Sequence, residues 1–156
     1  MALITYLTRI QFDFGALSLL ESELQLLGMR RPMIVTDKGV VAAGLWAKVK
    51  ERLPGNMPIT LYDETPENPT ESAMRDALKL YKSEGCDGII AIGGGSPMDL
   101  AKAVGLMATH PGASLQPYSF VEGGAGKITS AVAPIVAIPT TSGTGSEVSR
   151  GGVIIM

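Results

Sequence analysis

The chain has 156 residues, which is the usual length of one domain. Hydrophobic residues make up 46% of the sequence and charged residues 18%, a composition that excludes disorder for most of the chain. The formal net charge is −2, from 13 basic and 15 acidic residues, so no basic excess exists to neutralise the phosphates of a nucleic acid. We therefore expect a globular domain that does not bind nucleic acid.

The number of cysteines and the length of the apolar runs indicate where in the cell the protein is located. The single cysteine, Cys86, excludes an intramolecular disulfide and is typical of a reducing environment. Residues 1–14 lack the continuous apolar core of a signal peptide. The longest apolar stretch, residues 131–139, is too short to cross a bilayer and contains two prolines. We expect a cytoplasmic protein without a membrane partner.

The predicted elements alternate between strand and helix along the chain. Residues 4–14 have alternating apolar positions, which indicate one or two strands. Further strands are predicted at 32–36, 59–62, 88–92 and 135–138, with another beginning at 148, and helices at 17–29, 44–53, 70–84 and 97–108. This order predicts an α/β fold with a mostly parallel sheet and helices on both faces. In such sheets, ligands bind at the carboxyl ends of the strands.

Local signals predict how two of these helices begin and how the second one ends. Thr70 is placed to cap the helix at 70–84, and Ser96 to cap the next one, with Pro97 at its first position. His110 lies at the end of that second helix, where we expect it to face solvent or the helix dipole. Residues 112–130 are predicted to form a long surface connection or a lid.

The first loop of interest comes after the strand at 32–36 and contains Asp37. A carboxylate at the end of a strand can accept hydrogen bonds from both ribose hydroxyls of an adenosine. It would also repel a 2′-phosphate, which favours NAD over NADP. The alternative is that Asp37 only caps the next helix.

The second loop reads Gly93-Gly94-Gly95-Ser96 and precedes a helix that contains Asp99. Three glycines let backbone N–H groups approach a diphosphate, and the start of a helix adds its positive dipole end. The pattern is neither the G-x-G-x-x-G fingerprint nor a Walker A loop. A tight turn without a ligand is the alternative.

The third loop, residues 139–147, carries five hydroxyl side chains and two glycines after a buried strand. Short hydroxyl groups on a flexible backbone can hydrogen-bond the phosphates, ribose or ring of a nucleotide. The alternative is an ordinary loop rich in serine and threonine.

Five segments together resemble the iron-containing (group III) alcohol dehydrogenase family. They are VTDKG at 35–39, NPT at 68–70, GCDG at 85–88, GGGSPMDLAK at 93–102 and AIPTTSGTGSEV at 137–148. They occur in the order and at the spacing of that family, and the resemblance covers the chain from about residue 14 to its end. The segments at 93–102 and 137–148 are the most specific.

The resemblance implies a fold, a cofactor and a set of site residues. The fold is a Rossmann-like α/β domain of the type found at the N-terminus of dehydroquinate synthase, followed in the family by an all-helical domain. The cofactor is NAD, with NADP less favoured. The implied cofactor-binding residues are Asp37 and Asn68 at the adenosine ribose; Gly93, Gly94, Gly95 and Ser96 at the diphosphate, with Asp99 close by; and Thr140, Thr141, Thr144, Ser146 and Val148 around the rest of the cofactor.

The family binds Fe²⁺, or in some members Zn²⁺, through one aspartate and three histidines of its helical domain. This chain has a single histidine, His110, so it cannot supply such a site, and no residue is assigned a catalytic or metal-ligating role. We expect residues 1–156 to be an α/β dinucleotide-binding domain that is incomplete at its C-terminal end, lacks the helical domain and is inactive alone.

The complete family member would interconvert a small alcohol and its aldehyde by hydride transfer, and a homo-oligomer is compatible with the resemblance. Two other hypotheses remain open from the residues. One is a free-standing, non-catalytic nucleotide-binding module, and the other is a fragment that needs a partner chain to complete its fold.

Overall fold

The computed structural model describes residues 2–5 and 8–156, with side chains from residue 8 onward. The chain begins with a two-stranded antiparallel pair, β1 (Ala2–Thr5) and β2 (Arg9–Phe12), which stands apart from the main sheet. The prediction of one or two strands at residues 4–14 falls on this pair, although residues 6 and 7 lie outside the described part of the chain.

A four-stranded parallel sheet organises the rest of the molecule. Its strands are β3 (Pro32–Val35), β4 (Thr60–Tyr62), β5 (Gly88–Gly93) and β6 (Ile135–Pro139), in the spatial order β4-β3-β5-β6. Because all the pairings are parallel, the carboxyl ends of the strands share one edge. This confirms the predicted α/β architecture and places the loops after β3, β4, β5 and β6 side by side.

Helices cover both faces of the sheet. They are α1 (Leu20–Leu26), α2 (Lys38–Ala42), α3 (Leu45–Lys50), α4 (Glu71–Ser83) and α5 (Gly95–Thr109). Ile34, Ile90 and Ile92 face one core with α1, α2 and α3. Their neighbours in the strands, including Met33 and Ile89, face the other core with α4 and α5. Burial on both faces explains why β3 and β5 are apolar throughout.

Some helix boundaries agree with those predicted from the sequence, and others differ. The Thr70 hydroxyl accepts a hydrogen bond from the Ala73 amide at 3.1 Å, so the predicted cap of α4 is confirmed. The helix predicted at 17–29 begins with a 3₁₀ turn at Ala16–Leu19. The one predicted at 44–53 spans Leu45–Lys50 as α3 and is preceded by α2, which the sequence did not predict. Gly44 separates the two because its φ of 72° lies in the left-handed region.

The predicted start of α5 was wrong by two residues. The helix begins at Gly95 with Gly94 at the N-cap, so Ser96 is inside the first turn and does not cap it. The Ser96 hydroxyl instead donates to the carbonyl of Glu67 in the loop after β4. The Ser96 hydroxyl, which the local sequence pattern predicted to cap α5, therefore bonds to a residue that is distant in the chain.

His110 is buried, and the expectation that it faces solvent was wrong. Its Nε2 accepts a hydrogen bond from the Thr129 amide at 2.9 Å, and its ring packs edge-on against Tyr118 with centroids 5.6 Å apart. Residues 111–130 fold back over the end of α5 through 3₁₀ turns at Gln116–Tyr118 and Gly124–Lys127. This connection covers the histidine.

The strand expected to begin at 148 does not form. Residues 148–156 contribute only a bridge, in which Ile155 pairs with Thr70. The Ile155 amide donates to the Pro69 carbonyl at 2.9 Å, and its carbonyl accepts from the Glu71 amide at 2.8 Å. The segment thus pairs with the start of α4 and not with the sheet. Among the described residues, no helix is long and apolar enough to span a membrane.

Candidate functional site

A cleft of about 600 Å³ opens at the carboxyl edge of the sheet. Every strand of the sheet contributes a loop to its wall, so residues far apart in sequence meet there. The lining residues are Asp37, Lys38, Gly39, Val40, Ala43, Leu45, Thr65, Pro66, Glu67, Gly94, Gly95, Ser96, Pro97, Thr140 and Thr141. Parallel topology therefore brings these loops together at the edge of the sheet where ligands bind in such folds.

Asp37 connects the start of α2 to the glycine loop. Its Oδ1 accepts a hydrogen bond from the Val40 amide at 2.8 Å, so the residue does cap α2. A methyl group placed on Gly93 would lie 3.4 Å from Oδ2, so this second oxygen faces the glycine loop. Within residues 8–156 no hydrogen bond engages Oδ2. The cap uses one oxygen and leaves the other directed along the cleft.

The glycine loop packs so closely against its neighbours that Gly93 and Gly95 leave little room for a side chain. Gly93 has φ 145°, and a methyl group there would lie 2.7 Å from Pro97 Cγ, so no other residue fits without displacement. Gly95 begins α5, and a methyl group on it would lie 3.2 Å from Ser146 Oγ. The 15-residue helix α5 therefore presents its N-terminus, with its positive dipole end, to the cleft.

The loop after β6 packs directly against the glycine loop. The Thr140 amide donates to the Gly93 carbonyl at 2.9 Å. Thr141 lies beside Gly94, and Thr144 and Ser146 lie beside Gly95. Hydroxyl groups and backbone amides thus lie together at this edge of the sheet, and both kinds of group are suited to phosphate and ribose oxygens.

Six of the predicted residues are not among those that line this cleft: Asn68, Gly93, Asp99, Thr144, Ser146 and Val148. Asp99, Ser146 and Val148 border a second, larger hollow of about 2140 Å³, which adjoins the cleft because Thr140 and Thr141 line both. Gly93 and Thr144 lie next to residues that line the cleft, and Asn68 is exposed and lines neither space. The predicted residues are therefore not gathered in a single cleft.

Asp99 is buried and its carboxylate is already engaged. Its Oδ2 accepts a hydrogen bond from the Val153 amide at 2.9 Å, and its Oδ1 accepts one from Lys102 Nζ at 3.3 Å. The same Lys102 ammonium donates to the Gly151 carbonyl at 2.7 Å and to Ser149 Oγ at 3.2 Å. Asp99 and Lys102 together hold the segment 149–153 against α5.

Sequence reasoning missed the part of the cleft that the loop after β4 supplies. Thr65 is buried there, and its hydroxyl has no hydrogen-bond partner among the described residues. Lys38 Nζ lies 2.8 Å from Glu64 Oε1, and this hydrogen bond raises the pKa of Lys38 above its usual value. The position of this loop at the end of a predicted strand was the signal that could have revealed it.

The described residues do not fit an iron or zinc site. Among them, no group of three or more histidine, cysteine, aspartate or glutamate side chains could hold a metal ion. His110 is committed at both nitrogens, since Nε2 accepts from Thr129 and Nδ1 lies 2.9 Å from the Thr109 hydroxyl and 3.2 Å from the Leu106 carbonyl.

The family model described as iron-containing alcohol dehydrogenase matches residues 8–156, and the chain belongs to this family. It is 53% identical, over all 156 of its residues, to a 4-hydroxybutyrate dehydrogenase of Cupriavidus necator, of which it covers 40%. It is 38% identical over 148 residues to a choline dehydrogenase of Bacillus subtilis (strain 168), covering 94% of this chain and 36% of that protein. The chain thus spans about two fifths of the length of these curated relatives.

Solved structures of the family share the fold. A 1,3-propanediol oxidoreductase matches with a TM-score of 0.78 and 37% identity, over 87% of this chain and 35% of its own. A sulfoacetaldehyde reductase from Bifidobacterium kashiwanohense, solved in complex with NAD⁺, matches with a TM-score of 0.73 and 27% identity, over 86% of this chain and 35% of its own. The family resemblance and the Rossmann-like fold predicted from the sequence are confirmed.

Proposed function

We propose that the cleft binds the adenosine and diphosphate portions of NAD(H). The observation that carries the proposal is the meeting, at one edge of the sheet, of a carboxylate, a glycine loop at a helix N-terminus and a hydroxyl-rich loop. In this proposal the Asp37 carboxylate accepts hydrogen bonds from the adenosine ribose, with Asn68 nearby. Gly93, Gly94, Gly95 and Ser96 surround the diphosphate, and the loop after β6 contacts the rest of the cofactor.

Several features of the cleft support the binding of a dinucleotide. The backbone amides at the start of α5 and the helix dipole stabilise the anionic diphosphate, and the glycines admit it without side chains in the way. The hydroxyl groups of Thr140, Thr141, Thr144 and Ser146 can donate to phosphate or ribose oxygens. Thr140 and Thr141 line both the cleft and the second hollow, so in this proposal the cofactor extends past them and its nicotinamide lies toward Val148 and Asp99.

The bound nicotinamide would accept a hydride from the carbon of an alcohol or, in its reduced form, donate one to the carbon of an aldehyde. This chain binds and orients the cofactor, and the metal that polarises the alcohol oxygen would be held elsewhere in a complete family member. The 53% identity to a 4-hydroxybutyrate dehydrogenase makes a primary alcohol that carries a carboxylate the first substrate to test for the whole protein. A cytoplasmic location, where NAD is available, belongs to the same proposal.

Calorimetric titration of the chain with NADH and NADPH tests the proposal, after circular dichroism has established that the chain is folded. We expect NADH to bind and to bind more tightly than NADPH, since Asp37 would repel a 2′-phosphate. Titration with ADP-ribose separates the adenosine and diphosphate half from the nicotinamide half. A folded chain that binds neither NADH nor ADP-ribose would refute the proposal.

A further inference from the structure

An ion pair lies at the rim of the cleft, next to the residue that would recognise the ribose. Lys38 comes directly after Asp37 and lines the cleft. Its Nζ lies 2.8 Å from Glu64 Oε1, and the two side chains are 69% and 62% exposed. A cation beside the ribose position is the usual means of accepting a 2′-phosphate. Here that cation already has a partner.

Backbone pairing brings Lys38 and Glu64 together. Asp37 lies just after β3 and Glu64 just after β4, and the two residues form an antiparallel bridge with each other. Glu64 is therefore carried to the side of Asp37 by the pairing of the neighbouring strands. Asp63 adds a further negative charge that acts on Lys38. Carboxylates thus outnumber the single ammonium at this end of the cleft.

We propose that Glu64 is a specificity-determining residue that strengthens the preference for NAD(H) by keeping the Lys38 ammonium from a 2′-phosphate. A 2′-phosphate brings up to two negative charges to a place that already holds Asp37 and Glu64. It would have to compete with Glu64 for Lys38 and would be repelled by both carboxylates. The inference rests on the proposed function, because it requires the adenosine ribose to lie at Asp37.

The test compares NADPH and NADH binding in Glu64→Gln, which keeps the side-chain length and removes the charge. We expect NADPH affinity to rise about 3- to 10-fold, as befits one exposed charge pair, while NADH affinity changes by less than about 2-fold. The NADPH gain should shrink when the salt concentration is raised from about 0.05 M to 0.5 M, because exposed charges are screened.

Two further variants isolate the mechanism. In Glu64→Gln combined with Lys38→Met, most of the gain in NADPH affinity should disappear, because the cation that Glu64 releases is gone and only the relief of repulsion by Glu64 remains. Glu84→Gln makes the same charge change at an exposed residue that caps the C-terminal end of α4, before β5 begins. It lies toward the opposite edge of the sheet and should leave the NADPH to NADH ratio unchanged. Thermal melts of all variants establish that they are folded.

The outcomes separate this inference from the proposed function. If the unaltered chain binds NADH and Glu64→Gln leaves NADPH affinity unchanged, the role of Glu64 is wrong and the cofactor site stands. A gain that stays undiminished without Lys38, or that Glu84→Gln reproduces, likewise overturns the role of Glu64. If the folded, unaltered chain binds neither dinucleotide nor ADP-ribose, both proposals fail together.

Discussion

Asp37 combines a structural role and a proposed binding role in one side chain. Oδ1 accepts a hydrogen bond from the Val40 amide and so caps the start of α2, while Oδ2 faces Gly93. The two alternatives that the sequence left open for this residue are therefore compatible, since each uses a different oxygen. Measuring the capping role and the proposed binding role therefore requires substitutions that affect one and not the other.

We predict different results for Asp37→Asn and Asp37→Gly. Asparagine is an equally good N-cap, so Asp37→Asn should keep α2 and relax the rejection of NADPH by removing the charge. Asp37→Gly also removes the proposed ribose hydrogen bonds, and NADH affinity should fall by about 10-fold or more, since hydrogen bonds to charged groups contribute about 1.5–3 kcal/mol. Calorimetry measures both. Unchanged affinity and preference in Asp37→Gly would remove this residue from the site.

At the scale of elements, the junction of β5 and α5 decides whether the cleft can hold a diphosphate. Gly94 is the N-cap of α5 with φ −83°, a conformation open to other residues, and a methyl group there would lie 3.4 Å from Thr141 Oγ1. A side chain at position 94 is therefore compatible with the fold, but it would block a ligand that approaches the backbone there.

Gly94→Val should accordingly fold and bind NADH poorly. We expect a loss of about 10- to 100-fold in affinity, because the added side chain keeps the anion from the helix N-terminus, where charged hydrogen bonds contribute about 1.5–3 kcal/mol each. Gly55→Val is the matched control, since a methyl group on Gly55 meets nothing within 4 Å. Normal NADH affinity in Gly94→Val would show that the loop is only a turn.

The connection at 111–130 is a second element, and several hydrogen bonds hold it in place. The Thr129 amide donates to His110 Nε2 at 2.9 Å, and the Tyr118 hydroxyl donates to the Pro111 carbonyl at 2.6 Å. At the other side, Glu71 accepts from the Leu115 amide at 2.8 Å. The segment is therefore fastened to α4 and to the end of α5.

His110→Ala should destabilise the fold by about 1–3 kcal/mol, because it leaves the Thr129 amide without its acceptor and removes the ring that packs on Tyr118. Urea unfolding followed by circular dichroism measures this free energy. His110→Gln, whose side-chain carbonyl can still accept, should recover part of the loss. Equal stability of His110→Ala and the unaltered chain would contradict the anchoring role of His110.

For the whole molecule, binding at the cleft should stabilise the complete fold. The loops that form the cleft extend from strands whose side chains fill both cores, so a ligand that joins them opposes global unfolding. At an NADH concentration 100 times the dissociation constant, the gain is about 2.7 kcal/mol for a two-state domain. The melting temperature should then rise by roughly 5–10 °C.

Differential scanning fluorimetry with NADH, NADPH and ADP-ribose measures this shift. The Gly94→Val variant should show a much smaller rise with NADH than the Gly55→Val control, because only the first obstructs the cleft. A rise of the same size in both variants would place the binding outside the glycine loop. No rise at saturating NADH in the unaltered chain would contradict the link between the cleft and the fold.

The sequence by itself determined the features that depend on near neighbours. Continuous apolar runs identified the buried strands, and Thr70 identified the start of α4. Both signals are local, because the burial pattern of a strand and the capping of a helix each involve only a few neighbouring residues. The loops that carry Asp37, Gly94 and Thr141 were recognised in the same way, from their position after those strands.

Only the tertiary structure decided which of these loops meet and which side chains are already engaged. The strand order places Thr141 beside Gly94 and Glu64 beside Asp37, and it draws Ser96 away from its predicted cap to the Glu67 carbonyl. His110 is buried by a segment that comes later in the chain. Such contacts join residues distant in the chain, so they depend on the packing of the whole sheet and not on any local pattern.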